Sequence, residues 1–140
     1  MAGTAIIGAG TLGGEIAHVL ARRDGSATIR LIDDRDQVAA GKALDLMQSA
    51  PIEGFATRIS GTGDLAAAAG ADVIVVADRS GAGEWPNEEG LQLLGRLLQL
   101  GHTSVIVCAG AGARELVERG VRELKCGRSE ERRVGKECRL

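Results

Sequence analysis

The sequence has no tyrosine, one phenylalanine and one tryptophan in 140 residues. A core made from it has to rely on Leu, Ile, Val and Ala. Cysteine is also sparse: Cys108, Cys126 and Cys138 are odd in number and lack C-x-x-C spacing. That usage argues against a disulfide framework or a zinc site and points to a cytoplasmic setting. No apolar run approaches the roughly 20 residues of a membrane-spanning helix. The start, Met1-Ala2-Gly3-Thr4, lacks the basic region and apolar stretch of a secretory signal. Net charge is −2, and no basic cluster precedes the last thirteen residues. Neither nucleic acid nor a membrane is therefore an expected partner.

Glycine is abundant, at 21 of 140 residues, well above the usual level of about 7%. It shows no three-residue period, which excludes a collagen-like chain. The hydrophobic fraction of 44% supports a packed core, and the length suits one domain.

Thr4-Ala5-Ile6-Ile7 reads as a buried strand ending at Gly8, with a helix following over 12–22. Leu12, Ile16, Val19 and Leu20 have the spacing of one apolar helix face. Strand 28–32 comes next, closed by Asp33 and Asp34. A helix over 37–49 carries Ala40, Ala43, Leu44 and Met47 on one side, and Pro51 is expected to stop it. Further expectations are a strand at 57–60, a short alanine-rich helix at 64–69 and a strand at 71–76. Val73-Ile74-Val75-Val76 is apolar without alternation, as in a strand covered on both faces. A polar loop (78–87), a leucine-rich helix carrying Leu91, Leu94 and Leu98, a strand (103–108) and a helix (114–125) complete the pattern. Strands alternating with helices predict an α/β domain of the Rossmann type, a doubly wound parallel sheet with five of its six strands.

Gly8-Ala9-Gly10-Thr11-Leu12-Gly13 is a G-x-G-x-x-G between a strand and an amphipathic helix. Gly8 permits the tight turn, Gly10 lets backbone approach a pyrophosphate, and Gly13 lets the helix pack on the strand. The amides that open the helix at Thr11, Leu12 and Gly13 face the phosphates. Asp33 follows at the end of the second strand, 20 residues after Gly13, where a carboxylate accepts hydrogen bonds from ribose hydroxyls and repels a 2′-phosphate. The candidate cofactor-binding residues are thus Gly8, Gly10, Thr11, Leu12, Gly13 and Asp33, and the expected cofactor is NAD. Two alternatives stand beside this: a ligand-free packing turn with a solvated Asp33, and tolerance of NADP through Arg35.

The chain resembles the NAD-dependent malate and lactate dehydrogenases. The match runs through Ile6–Gly14, Leu31-Ile32-Asp33, Gly41–Phe55, Gly61–Asp64 and Gly70–Val76. The Gly41–Phe55 stretch resembles the malate dehydrogenase branch. The resemblance implies hydride transfer between NAD and a 2-hydroxy acid, and a homo-oligomer with the Leu44–Met47 helix at a subunit contact. It also implies two arginines in the loop after Val76, but Ala82 and Glu88 stand at those positions. Arg79, three positions early, reads as a solvated loop charge. An Asn-Pro pair is implied after the fifth strand, where Gly110-Ala111 occur; they read as a plain strand-to-helix turn, with a second phosphate-facing turn at Gly110 and Gly112 as the alternative. The implied catalytic His and its Asp partner belong to a second domain, and neither His18 nor His102 matches a catalytic position. No catalytic residue is expected among these residues, so this fragment alone should be inactive. The competing readings are a non-catalytic NAD-binding module and a different NAD-dependent enzyme on a related scaffold.

From Arg128 the composition changes. Residues 128–140 carry five Lys/Arg and three Glu with almost no apolar content. Arg128–Cys138 resembles a sequencing-library adapter translated in one frame. The expected division is a dinucleotide-binding domain over 1–127 and a disordered, non-native tail over 128–140, with the natural protein continuing further.

Overall fold

The computed structural model describes residues 3–100 and 104–124. His102, Cys126, Cys138 and the tail 128–140 lie outside the described residues. The chain runs β1 (Gly3–Ile7), α1 (Thr11–Arg22), β2 (Thr28–Ile32), α2 (Asp36–Glu53), β3 (Arg58–Thr62), a 3-10 turn (Leu65–Ala68) and β4 (Val73–Val76). A small hairpin follows, β5 (Asp78–Arg79) with β6 (Gly83–Glu84), then α3 (Asn87–Leu100), β7 (Val105–Cys108) and α4 (Ala113–Glu123).

Five strands form one parallel sheet in the order β3-β2-β1-β4-β7. This is the dinucleotide-binding order for the first five strands. Successive side chains of β1 alternate between two cores: Ala5 and Ile7 join one and Ile6 the other. The same holds in β4, where Ile74 and Val76 face one core and Val75 the other. Both faces are covered, which is why these strands read as unbroken apolar runs.

The two covering layers differ. On one face α3 and α4 present Leu93, Leu94, Leu97 and Leu116. On the other, α1 and α2 present Ala17, Ala21, Ala39 and Ala43. This corrects the helix faces expected from hydrophobicity. Val19, Ala40 and Leu44 point outward, while Leu12, Ile16 and Leu20 flank the alanines. Small residues lie flush on the sheet because they let the helix axis come close. Met47 is drawn inward, its sulfur accepting the Ile59 amide at 3.2 Å.

Pro51 does not stop α2, which continues to Glu53. In the last turn a proline removes one helical hydrogen bond without disturbing a following helix. The helix ends at Gly54, with φ of 80° and its N–H donated to the Ala50 carbonyl at 2.7 Å. β7 pairs with β4 alone among the described residues, leaving one edge free. Val107 on that strand is 43% exposed.

Candidate functional site

The carboxyl ends of β1, β2 and β4 converge where the strand order reverses, the place at which open α/β sheets bind ligands. β1 ends at Ile7, and Gly8 turns the chain with a φ of 115°. L-residues with side chains rarely adopt that backbone. The Gly8 amide donates to the Ile32 carbonyl at 2.6 Å, which fixes the turn against β2. The buried Gly13 sits so close to the Gly8 carbonyl oxygen that a Cβ would overlap it. Thr11 is exposed and opens α1.

The amides of Leu12 and Gly13 converge on a single carboxylate, that of Asp78. Leu12 N–H donates to Oδ2 at 3.1 Å and Gly13 N–H to Oδ1 at 2.8 Å. Gly10 N–H donates to the Asp78 carbonyl at 2.9 Å. A Cβ on Gly10 would stand 2.5 Å from the carboxylate, so only glycine leaves the cradle open. The turn and helix start therefore hold an anion, in the manner of a helix N-terminus.

Asp33 is 5% exposed. Its Oδ2 accepts the amides of Ala9 and Ser80, each at 2.8 Å, and its Oδ1 accepts that of Arg35 at 2.9 Å. The Arg35 guanidinium extends over Gly81, where an added Cβ would meet it at 2.9 Å. Beside Asp33 lies a cavity of about 540 Å³, walled by Ile7 and Ile32 on the sheet side and by Trp85, Leu93 and Arg96 opposite. Asp34, Asp64 and Glu89 add acidic groups to its lining.

A family profile described as the NAD-binding domain of lactate/malate dehydrogenase matches residues 3–103. The chain belongs to this family. It is 48% identical over 71 residues to a malate dehydrogenase of Roseiflexus sp. (strain RS-1), covering 51% of this chain and 23% of that protein. Identity to a Salinibacter ruber malate dehydrogenase is 39% over 71 residues, again 51% of this chain and 23% of the relative. The Picrophilus torridus malate dehydrogenase in its apo form superposes with a TM-score of 0.70 at 28% identity, covering 86% of this chain and 42% of that one. A Cryptosporidium parvum lactate dehydrogenase solved with lactic acid and nicotinamide adenine dinucleotide shares the fold. Its TM-score is 0.71 at 23% identity, over 86% of this chain and 41% of that one. The chain thus spans about a quarter of the length of the curated relatives it matches.

Within this lactate/malate dehydrogenase domain, the stretch after β4 departs from the open polar loop expected. Asp78–Arg79 and Gly83–Glu84 pair antiparallel as a hairpin. Arg79 is not a solvated charge: its side chain is 21% exposed, ion-paired to Glu89 at 3.0 Å and stacked 4.6 Å from the Trp85 ring centre. Ala82 lies exposed in the hairpin turn, and Glu88 points to Arg119 at 3.0 Å. Neither position supplies a guanidinium.

The Gly110 turn repeats the arrangement at α1. Gly110 has a φ of 113°, and the amides of Ala111 and Gly112 donate to the Glu84 carboxylate at 2.8 Å each. His18 is a surface residue bonded to Glu53 at 2.8 Å. Burial pushes the Cys108 thiol up to about 11, which leaves it protonated and inert at neutral pH.

Sequence reasoning missed Asp78, Ser80 and Glu84. The signal available was an acidic residue two positions beyond a buried apolar strand, where a solvated loop charge is the ordinary expectation. Its partners lie 65 and 66 residues away, a separation that local patterning does not bridge.

Proposed function

We propose that this chain is the cofactor-binding part of a cytoplasmic, homo-oligomeric dehydrogenase that moves a hydride between NAD and a 2-hydroxy acid in the longer protein. The domain occupies residues 1–127, with 128–140 as a non-native tail. The observation that carries the reading is the anion cradle of Gly8–Gly13, already gripping a carboxylate through two helix-start amides. Gly8, Gly10, Thr11, Leu12 and Gly13 hold the pyrophosphate, and Asp33 accepts the ribose hydroxyls. NAD supplies the hydride chemistry when bound. The chain's own residues bind and orient it: the buried Asp33 fixes the ribose, and Ile7 and Ile32 line the cavity beside it.

No general acid–base pair accompanies this cradle among the described residues. His18 is committed to Glu53 on the surface. Ala82 and Glu88 offer a 2-hydroxy acid no guanidinium fork. That observation also supports a second reading, a non-catalytic NAD-binding module of the same descent.

The experiment is a fluorescence titration of the full chain with NADH, together with a turnover assay on malate and lactate. Saturable NADH binding without turnover is expected. Turnover that survives removal of contaminating dehydrogenase would overturn the assignment of an inactive fragment, and absence of binding would overturn the cofactor assignment.

A further inference from the structure

The helix-start amides of Leu12 and Gly13 and the Asp33 carboxylate, all assigned above to a dinucleotide, are already engaged by one segment of the chain itself. The Asp78 carboxylate lies on the amides of Leu12 and Gly13, where a phosphate would be gripped. Its carbonyl takes the Gly10 amide at 2.9 Å. Two residues on, the Ser80 amide donates to Asp33 Oδ2 at 2.8 Å, as a ribose hydroxyl would. An anion and a hydrogen-bond donor, in the same order and on the same two partners, reproduce the chemistry of the ligand.

We propose that the Asp78–Ser80 segment is a built-in pseudo-ligand that holds the site closed, and that NAD(H) enters only by displacing it. This rests on the NAD reading given above. Two negative groups cannot share the amides of Leu12 and Gly13. The volume is equally exclusive, because the carboxylate fills the space that Gly10 leaves open. Coulomb repulsion and overlap therefore act together, and the bound and self-occupied states exclude one another.

The segment is built to let go. Its hairpin has two residues in each strand and turns through Gly81 and Gly83, each with a φ of 75°. Two buried polar atoms, Nε of Arg79 within the segment and Nε1 of Trp85 beside it, have no hydrogen-bond partner among the described residues. Unsatisfied buried donors disfavour the closed arrangement; holding it are the anchors on the cofactor turn and on Asp33, together with the Arg79 ion pair to Glu89 and its stacking on Trp85. When the competent state is a minority, apparent affinity falls by its fractional population. A segment that is closed nine times in ten thus weakens cofactor binding about tenfold.

The test uses the full chain and two variants, Asp78→Ala and Asp78→Asn, the second retaining the size and one acceptor of the native side chain. NADH is titrated by fluorescence, and melting temperature is followed with and without inorganic pyrophosphate. We expect Asp78→Ala to bind NADH about tenfold tighter although it melts lower, because it has lost the carboxylate on its first helix. Asp78→Asn should be intermediate in both. A purely structural cap would lose stability and affinity together. Folded variants whose NADH affinity is unchanged or weaker overturn the pseudo-ligand. If pyrophosphate raises the melting temperature of Asp78→Ala more than that of the parent while NADH binds neither, the pseudo-ligand stands and the NAD reading falls. If neither probe binds any of the three proteins, both fall.

Discussion

Gly13 rests against the carbonyl oxygen of Gly8 so closely that no side chain fits between them. The contact pins the first turn of α1 to the end of β1, and it sets the depth at which the helix amides face the site. Gly13→Ala must push the helix away or tilt it. Overpacking of this kind costs about 1–3 kcal/mol, enough to lower the melting temperature of a small domain by several degrees. Thermal unfolding followed by circular dichroism checks this, and an unchanged midpoint would show that the helix is not held at this point.

Asp33→Ala should weaken NADH binding and bring the affinities for NADH and NADPH closer together. A hydrogen-bonding carboxylate and a charge repelling a 2′-phosphate are lost in one step. The buried amide of Ala9 and the partly buried amides of Ser80 and Arg35 also lose their acceptor, so the variant should melt lower. Parallel titrations with both cofactors separate these effects, since destabilisation alone leaves the ratio of affinities unmoved.

The hydrogen bond from His18, at 2.8 Å, holds the Glu53 carboxyl below the ordinary value of 4.5, helped by Ser49 and by the charges of His18 and Arg22, against a smaller opposing effect of burial. A carboxylate with a lowered folded-state pKa adds stability above its unfolded value and loses it as pH falls through the folded one. Glu53→Gln should therefore melt slightly below the parent at pH 7. The gap should close as pH drops below 4.5. Equal gaps across that range would mean that the charge contributes nothing.

The free edge of β7 should make the chain associate. Val105–Cys108 is uncharged, rich in β-branched residues and unpaired on one side among the described residues. Such edges template pairing with other chains, and a lysine on the edge opposes it. Sedimentation velocity should show a concentration-dependent coefficient for the parent and a weaker dependence for Val107→Lys. A clean monomer at high concentration would remove the edge from consideration.

The parallel sheet could be read from the sequence because its strands carry their own signature. Val73–Val76 has no polar alternation, and the structure buries it from both sides. Gly8, Gly13 and Asp33 were equally visible, since a tight turn, a close helix and a strand-end acid each demand a residue type at a fixed spacing. The helix faces were not. Hydrophobicity favoured Val19 and Leu44, whereas the sheet accepts whichever side comes closest, and that side carries alanine. The Asp78 and Glu84 contacts were invisible for a different reason. A carboxylate in a turn says nothing about which amides it will meet until the strands have been brought side by side.

The unequal layers on the two faces of the sheet imply opposite tolerances to substitution. Beneath α3, where leucines interdigitate, the hazard is subtraction: truncating Leu94 or Leu97 opens a void that costs about 2–5 kcal/mol. Beneath α1 and α2 the hazard is addition. Ala17, Ala21 and Ala39 are already fully enclosed, so even one extra methylene there has nowhere to go. One side of this domain limits how small its residues can become, and the other limits how large.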